Sequence, residues 1–223
     1  MWVKICGMTA LDDVETVAAL QPDAIGLNFY RGSRRCVDVP TARQLVARLP
    51  ETIRPVGLFV NHSLEEIRHI SSDCGLRWLQ LHGDETPEFV AQLREYQLIR
   101  AFRVSAAGLD DVARQLAEYR RLGITLQACL IDAHVAGTYG GTGHSAPWSL
   151  LARDWDPAWP ALILAGGLTP QNVAAAIETV RPWGVDVASG VESAPGRQDP
   201  DAVKEFISVA RRHASSGWNS RSR

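Results

Sequence analysis

The chain has 223 residues, of which 46% are hydrophobic and 22% are charged, and its formal net charge is -2. This length suits one large α/β domain or two small ones, and the composition is that of an ordinary globular protein. The near-neutral charge gives no electrostatic basis for nucleic-acid binding, and no apolar run reaches the roughly 18 residues that a membrane span needs. The N-terminus also lacks the basic region and apolar core of a signal peptide. We therefore expect a cytoplasmic protein whose main partner is a small molecule.

The cysteines lie far apart in the sequence, at positions 6, 36, 74 and 129, and they form no C-x-x-C pair. This spacing indicates neither a zinc site nor a disulfide framework. We expect four reduced thiols and no bound metal.

Short apolar runs alternate along the chain with segments whose apolar residues recur at helical spacing. The first run, residues 1–8, leads into Cys6 and Gly7, and the glycine lets the backbone turn away from the strand. Further strands are predicted at 24–29, 55–60, 78–82, 98–104, 128–133, 161–165 and 185–188. Helices are predicted at 9–20, 40–49, 63–73, 87–96, 109–121, 149–153, 170–180 and 200–212, the first of them capped by Thr9 or a neighbour.

Eight strand and helix units with short connections predict a parallel sheet closed into a (β/α)8 TIM barrel. The sixth unit is the exception, because residues 137–148 have the composition of a loop and leave only a shortened or irregular sixth helix. A long irregular insert in a compact domain is usually functional or disordered. We assign residues 1–213 to one barrel domain and residues 214–223 to a disordered tail.

Candidate catalytic groups stand at the carboxyl ends of predicted strands, which is where the active sites of such barrels lie. Cys6 ends the first strand, although most free cysteines are simply small buried hydrophobic residues. Asp132 ends the sixth strand, where an ionised carboxylate is costly unless it is paired or faces solvent. Asp186 lies similarly on the eighth strand, and holding loop amides or a cation is as plausible for it as catalysis.

Three further polar residues are candidates for contact with a substrate. Arg35 lies in the loop after the second strand, where a guanidinium group can bind a carboxylate through two hydrogen bonds or can simply be solvated. Gln80 and His82 share one face of the fourth strand because they are two residues apart. A histidine at this position has either a chemical role or satisfied hydrogen bonds in the core.

Glycines cluster after each of the last three predicted strands, where exposed backbone amides can bind a phosphate. Each glycine could instead serve only its own turn, but their joint placement favours a phosphate site. The candidates are Gly141, Gly143, Gly166, Gly167 and Gly190, with Ser189 as a hydroxyl donor. A thiol, a carboxyl group and a phosphate site together indicate proton transfer on a phosphorylated substrate, without a metal or an organic cofactor.

Several segments together resemble the phosphoribosylanthranilate isomerase family over nearly the whole chain. They are 3–7 (VKICG), 80–83 (QLHG), Asp132, 140–143 (GGTG), 165–168 (AGGL) and 186–192 (DVASGVE). The resemblance implies the Amadori rearrangement of N-(5-phosphoribosyl)anthranilate in tryptophan biosynthesis. The chain departs from the family pattern at 144–147 (HSAP), where an aromatic and an acidic residue usually precede the tryptophan.

The resemblance also implies roles for individual residues. Cys6 would be the general base, Asp132 the general acid, and Arg35 would face the anthranilate carboxylate. A thiol acting as a base at neutral pH needs a lowered pKa, which cationic neighbours or phosphate-binding amides would supply. We expect the protein to be a monomer or a homodimer.

Two alternatives fit part of the pattern. The first is another barrel enzyme for a phosphorylated aminosugar, either the histidine-pathway isomerase or indoleglycerol phosphate synthase. The former is expected to carry aspartates at both working strand ends and the latter a lysine, whereas this chain has Cys6 and Asp132. The second alternative is a barrel that binds a sugar phosphate without converting it.

Overall fold

The computed structural model describes residues 1–104, 108–132 and 146–214. Eight parallel strands form a closed barrel in the order β1 to β8, and β1 pairs with β8 to complete it. The strands are β1 Trp2–Cys6, β2 Ala24–Asn28, β3 Arg54–Phe59, β4 Trp78–Leu81, β5 Gln97–Arg103, β6 Leu126–Asp132, β7 Ala161–Ala165 and β8 Gly184–Val187. The predicted (β/α)8 barrel is thus confirmed.

A helix follows each strand. The helices are α1 Leu11–Ala19, α2 Val39–Val46, α3 Leu64–Cys74, α4 Pro87–Ala91, α5 Asp110–Arg121, α6 Ala146–Asp154, α7 Val173–Val180 and α8 Pro200–Ala214. The sixth helix is longer than the predicted stub, and α4 is instead the shortest of the eight described. None of the described helices has the length and apolarity needed to cross a membrane.

The fourth helix ends five residues earlier than the sequence predicts. After Ala91 the backbone hydrogen bonds join residues three apart instead of four. The amide of Gln92 donates to the carbonyl of Phe89, and the amide of Leu93 donates to the carbonyl of Val90. The side chain of Arg94 donates to the carbonyl of Ala91 at 2.9 Å and satisfies one of the helix-terminal acceptors. The chain therefore continues as tight turns that preserve the apolar spacing without forming an α-helix.

The first helix does not use Thr9 as its cap. Ala10 occupies the N-cap position and makes no side-chain capping bond. The Thr9 hydroxyl donates instead to the carbonyl of Gly196, at 2.6 Å. Thr9 thus ties the segment after β1 to the segment after β8.

Apolar side chains pack in two separate regions. A small cluster inside the barrel includes Trp2, Ile99, Leu130 and Ile163, with Trp78 and Trp183 packed against it. A larger cluster lies between the strands and the helices. The ring of Trp2 stacks on that of Trp183 with centroids 5.2 Å apart. Since Trp2 and Gly184 pair at the start of β1 and β8, aromatic packing closes the amino-terminal end of the barrel.

After β8 the chain forms a 3-10 turn, Ser189–Val191, and a short antiparallel hairpin of β9 Glu192–Ala194 and β10 Arg197–Gln198. This hairpin was not anticipated from the sequence. The buried carboxylate of Asp13 accepts two bonds from Arg197 and one from the amide of Gln198, all at 2.9 to 3.0 Å. Asp13 thereby fixes the hairpin against α1.

A buried ion pair holds the loop after β4. Arg100 on β5 donates to Glu85 at 2.8 Å and to the carbonyls of Leu81 and Gly83 at 3.0 Å. Glu85 also accepts the amides of Asn61 and Gly83, so the pair connects the loops after β3 and β4. The side chains of Arg100 and Glu85 are only 5% and 2% exposed.

We predict that Arg100→Met destabilises the fold by about 3 to 5 kcal/mol, because it leaves the carboxylate of Glu85 buried without its cation. Chemical denaturation followed by circular dichroism measures this loss. Arg121→Met is the matched control, since Arg121 pairs with Glu118 on the exposed surface of α5 and exposed pairs contribute little. Equal denaturation midpoints for Arg100→Met and the parent protein would contradict the assignment.

Candidate active site

A cavity of about 380 Å³ opens at the carboxyl-terminal end of the barrel. All ten predicted site residues that the structure describes line it. They are Cys6, Arg35, Gln80, His82, Asp132, Gly166, Gly167, Asp186, Ser189 and Gly190. Gly141 and Gly143 lie outside the described residues. A volume of this size fits a small organic ligand. The cavity brings the predicted residues together, while their roles remain predictions.

Strand β1 carries Lys4 and Cys6 on the same face, because the two are separated by one residue. In the register of the sheet, Lys4 lies beside Asp186 of β8, and Cys6 lies beside Gly26 of β2. A Cβ atom on Gly26 would lie 2.5 Å from the sulfur of Cys6 and 3.1 Å from Nζ of Lys4. The absence of a side chain at position 26 therefore provides the space that both groups occupy.

Lys4 and Asp186 form an ion pair inside the barrel, with Nζ and Oδ1 2.8 Å apart. The Lys4 side chain is fully buried, and that of Asp186 is 10% exposed. Burial opposes the charged form of Lys4, but the attraction of Asp186 and Cys6 outweighs it and raises the lysine pKa. Burial raises the pKa of Asp186, and the neighbouring ammonium opposes that rise. Asp186 thus holds a cation, which was one of the two alternatives for this residue.

The environment of Cys6 differs from what the base role led us to expect. Burial raises the pKa of the Cys6 thiol, and the positive charge of Lys4 counters the effect without reversing it. Asp186 adds to the rise, whereas Arg35 acts against it. The expected lowering of the pKa is therefore wrong, because loss of water around the sulfur outweighs its cationic neighbours.

Arg35 lies over the turn that follows Cys6. Its guanidinium donates to both carboxylate oxygens of Glu192, at 2.7 and 2.5 Å, and the Glu192 side chain is only 3% exposed. Gly7 has a positive φ of 89°, and a Cβ there would lie 2.6 Å from Cδ of Arg35. The glycine therefore serves both the turn and the close approach of the arginine. A bidentate pair of this kind fixes the direction of the guanidinium plane.

His82 connects β4 to Asp132 on β6. The Gln80 amide nitrogen and Nδ1 of His82 are 3.1 Å apart, and Nε2 of His82 is 3.9 Å from Oδ2 of Asp132. Burial lowers the pKa of His82, although Asp132 acts in the opposite direction. The imidazole is therefore neutral at neutral pH. A Gln80 amide that donates to Nδ1 requires the ring proton on Nε2, the nitrogen that faces the carboxylate.

The loops after β7 and β8 line the same cavity. Gly166 and Gly167 both have positive φ angles, of 84° and 67°, which only glycine adopts at little cost. Asn172 accepts the amide of Thr169 at 2.8 Å and donates to the carbonyl of Gly167 at 2.9 Å, which fixes the turn. A Cβ on Gly190 would overlap the carbonyl oxygen of Leu168, so the two loops are in direct backbone contact.

Three polar residues and one glycine at the site had no role assigned from the sequence. They are Lys4, Gly26, Asn28 and Glu192. Lys4 could have been identified from the sequence, because it is a charged residue within the apolar run 2–6 and strand alternation places it on the same face as Cys6. Glu192 and Gly26 carried no such signal, because their partners are distant in sequence. Within the three described segments, no group of three His, Cys, Asp or Glu side chains is arranged to hold a metal ion.

We predict that Gly26→Ala lowers turnover by a larger factor than Gly57→Ala does at a similar loss of thermal stability, because the new methyl group displaces the sulfur of Cys6. Turnover and the thermal midpoint are measured together. Gly57→Ala is the matched control, since its Cβ would press on Leu76 and Phe59 at 2.8 and 2.9 Å, in a strand but away from the cavity. Equal losses of turnover in the two variants would show that Gly26 does not position the thiol.

Comparison with known proteins gives one consistent result. Residues 3–209 match the family model described as N-(5'phosphoribosyl)anthranilate (PRA) isomerase. The N-(5'-phosphoribosyl)anthranilate isomerase of Trichlorobacter lovleyi is 45% identical over 210 residues, which are 94% of this chain and 97% of the relative.

Two solved structures of phosphoribosyl anthranilate isomerase are similar to this chain. That from Thermotoga maritima is 38% identical with a TM-score of 0.82 and covers 94% of this chain and 98% of its own. A second, in complex with reduced 1-(o-carboxyphenylamino)-1-deoxyribulose 5-phosphate, is 37% identical with a TM-score of 0.79 and covers 94% and 97%. The chain therefore belongs to the N-(5'-phosphoribosyl)anthranilate isomerase family.

Proposed function

We propose that Cys6 and Asp132 perform the proton transfers by which this isomerase of tryptophan biosynthesis rearranges N-(5-phosphoribosyl)anthranilate. The product is 1-(2-carboxyphenylamino)-1-deoxyribulose 5-phosphate. One observation carries the assignment of roles: the thiol and the carboxyl group, from β1 and β6, line the same cavity at the carboxyl-terminal end of the barrel. General acid and base catalysis requires both groups within reach of one substrate.

The reaction divides between the two groups. Asp132 protonates the ring oxygen of the furanose, and the ring opens to a Schiff base. Cys6 then removes the proton from C2, which gives an enolamine. A proton is added at C1 and another is lost from the C2 hydroxyl, so the enolamine becomes the ketone and no proton is consumed overall. Carbon C2 is oxidised while C1 is reduced within one molecule, and we therefore propose that the reaction needs no cofactor.

The remaining residues of the cavity suit the two ends of the substrate. We assign the phosphate to the amides of Gly166, Gly167 and Gly190 with the hydroxyl of Ser189, and Gly141 and Gly143 stay part of that proposal. Gly166, Gly167 and Gly190 line the cavity, and their lack of side chains lets an anion approach the backbone closely, as phosphate binding requires. Arg35 would bind the anthranilate carboxylate. The ion pair with Glu192 fixes the Arg35 guanidinium near Cys6, in a position where it can bind the substrate carboxylate.

His82, Gln80 and Asp186 complete the proposed substrate contacts. All three line the cavity, and the neutral His82 can donate a hydrogen bond without adding charge. Asp186 contributes mainly through its pair with Lys4. We also propose that the protein works in the cytoplasm as a monomer or homodimer, as one barrel domain over residues 1–213, with a small phosphorylated molecule rather than nucleic acid or a membrane as its partner.

We predict that Cys6→Ser and Asp132→Asn each lower turnover by about a hundredfold to ten-thousandfold, the range for loss of a general acid or base. Loss of the fluorescence of the anthranilate adduct measures turnover, and binding of a product analogue should change little because both groups act in the transition state. In the parent protein, reprotonation at C2 should carry deuterium from solvent into recovered substrate, and this exchange at C2 should be absent in Cys6→Ser. The Asp132 variant should keep activity on a substrate whose ring is already open.

The control for these variants is Cys36→Ser, a half-buried thiol that does not line the cavity. It should retain parental turnover. Near-parental turnover in Cys6→Ser would mean that another group removes the proton, and His82 would be the first candidate. Turnover that is absent from the parent protein would instead favour a barrel that binds a sugar phosphate without converting it.

We predict that Arg35→Ala raises KM by about tenfold to a hundredfold and changes kcat less, because a charged bidentate contact acts on the substrate before and during the reaction. The neighbouring Arg34 is exposed, and Arg34→Ala is the matched control. Glu192→Gln should raise KM by a smaller factor, since it weakens the support of Arg35 but keeps the guanidinium. Unchanged kinetics in Arg35→Ala would remove this residue from the site.

A further inference from the structure

The structure places one lysine in an unusual position. Only two lysines occur in the sequence, Lys4 and Lys204. Lys204 is exposed on α8, whereas the side chain of Lys4 is fully buried inside the barrel. A buried ammonium is costly unless anionic partners surround it. Two groups that can carry negative charge lie beside it: Asp186 is 2.8 Å from Nζ, and the sulfur of Cys6 shares with Nζ the space above Gly26.

We propose that Lys4 is a positioning residue of the isomerase, whose buried ammonium is the counter-ion shared by Asp186 and Cys6 and supports the thiolate form of Cys6. This inference rests on the proposed function of Cys6 as the base. Lys4 has no exposed surface and so does not touch the substrate. It acts through the thiol.

Charge balance inside the barrel supports this role. The ammonium of Lys4 balances one negative charge. When Asp186 is ionised, the cluster of Lys4, Asp186 and Cys6 is neutral only if Cys6 is a protonated thiol. When Cys6 loses its proton, the second anion must share the same ammonium, which donates up to three hydrogen bonds. Without Lys4, both anions would lie in the interior with no buried cation beside them, and the thiolate would be strongly disfavoured.

Other charged groups lie near Lys4, Asp186 and Cys6, but none of those described below replaces Lys4 as the buried cation beside both anions. Arg35 acts on Cys6 from the loop after β2, but its guanidinium is already paired with Glu192. Asp132 on β6 acts on Asp186 and favours its neutral form. Burial and, less strongly, the positive charge of Lys4 both lower the pKa of His82, which directly follows β4, so its imidazole adds no cation to the cluster. The thiolate therefore depends on the competition between Cys6 and Asp186 for Lys4.

The space around the cluster explains why the residue is lysine in a chain otherwise rich in arginine. Gly26 makes room for Nζ and for the sulfur, and the compact ammonium fits between β1 and β8. A planar guanidinium is larger and is best suited to bidentate contacts. The register that pairs Lys4 with Asp186 sets the 2.8 Å contact.

The test measures the reactivity of Cys6 toward iodoacetamide as a function of pH, with the modified peptide quantified by mass spectrometry. The reagent reacts with the thiolate, so the pH midpoint reports the thiol pKa. No substrate is needed. An unchanged alkylation profile in the Lys4 variants would argue against the role of Lys4 without affecting the turnover result for Cys6→Ser. Normal turnover in Cys6→Ser would argue against the base role of Cys6 without altering the alkylation profile.

The variants Lys4→Met and Asp186→Asn should shift the alkylation midpoint in opposite directions. Loss of Lys4 removes the counter-ion and should raise the midpoint by about one pH unit, which slows alkylation about tenfold at a given pH below it. Asp186→Asn removes the competing anion and should lower the midpoint. Lys204→Met is the matched control and should leave the profile unchanged.

Lys4→Met leaves a buried carboxylate without its cation and is the variant most prone to misfold, so the double variant Lys4→Met/Asp186→Asn is measured as well. Its midpoint should lie above that of Asp186→Asn alone, because the only difference is the loss of Lys4. Circular dichroism checks that each variant is folded. Shifts in the same direction for the two single variants, or equal midpoints for Asp186→Asn and the double variant, would overturn the proposal.

Discussion

Closure of the barrel through the pairing of β1 with β8 is the constraint on which the site depends. It places Lys4 beside Asp186, although the two are 182 residues apart in the sequence. Because all eight strands are parallel, their carboxyl ends gather at one rim. Without that closure, Cys6 and the loops after β7 and β8 would have no common cavity.

The barrel interior separates into an apolar and a charged part. Tryptophans pack at the amino-terminal end, where the rings of Trp2 and Trp183 stack. Two residues further along β1, the interior holds the ion pair of Lys4 and Asp186, and the strand then ends at Cys6. The change from apolar to charged thus takes place along one strand of five residues. Burial of the charges keeps their electrostatic effect on the thiol strong, because little water screens them.

Buried carboxylates also hold the loops around the rim. Asp13 fixes the hairpin after β8, Glu85 joins the loops after β3 and β4, and Glu192 holds Arg35. Each accepts several bonds from a neighbouring arginine or from backbone amides. Loops tied in this way hold the cavity side chains in place before a substrate binds, which lowers the cost of ordering them during the reaction.

The thiol environment shows how burial and charge compete at one atom. Burial raises the pKa of Cys6 and favours the neutral thiol. Lys4 and Arg35 act against this, and both lie close enough to respond to a change of charge at the sulfur. In the role proposed for Cys6, the thiolate would form at the expense of the contact between Lys4 and Asp186. Proton removal would then depend on a shared ammonium group rather than on exposure of the sulfur.

Much of the architecture could be predicted from the sequence. Alternating strand and helical periodicities predict eight units, since each element's apolar spacing is local information. Cys6, Asp132 and the glycines after β7 and β8 stood at strand ends, which a parallel barrel brings to one rim. The end of α4 was misjudged because tight turns and an α-helix share nearly the same apolar spacing over a few residues.

Only the tertiary structure decided the contacts that determine the chemistry. The partner of Lys4, the support of Arg35 by Glu192 and the space above Gly26 depend on strand register and on loops far apart in the chain. The direction of the Cys6 pKa depended on how completely water is excluded from the sulfur, a property of packing rather than of neighbouring residues. The sequence by itself determined which groups stand at the strand ends, because strand periodicity is local. Register, burial and charge pairing decided what those groups can do, because these are properties of the closed barrel.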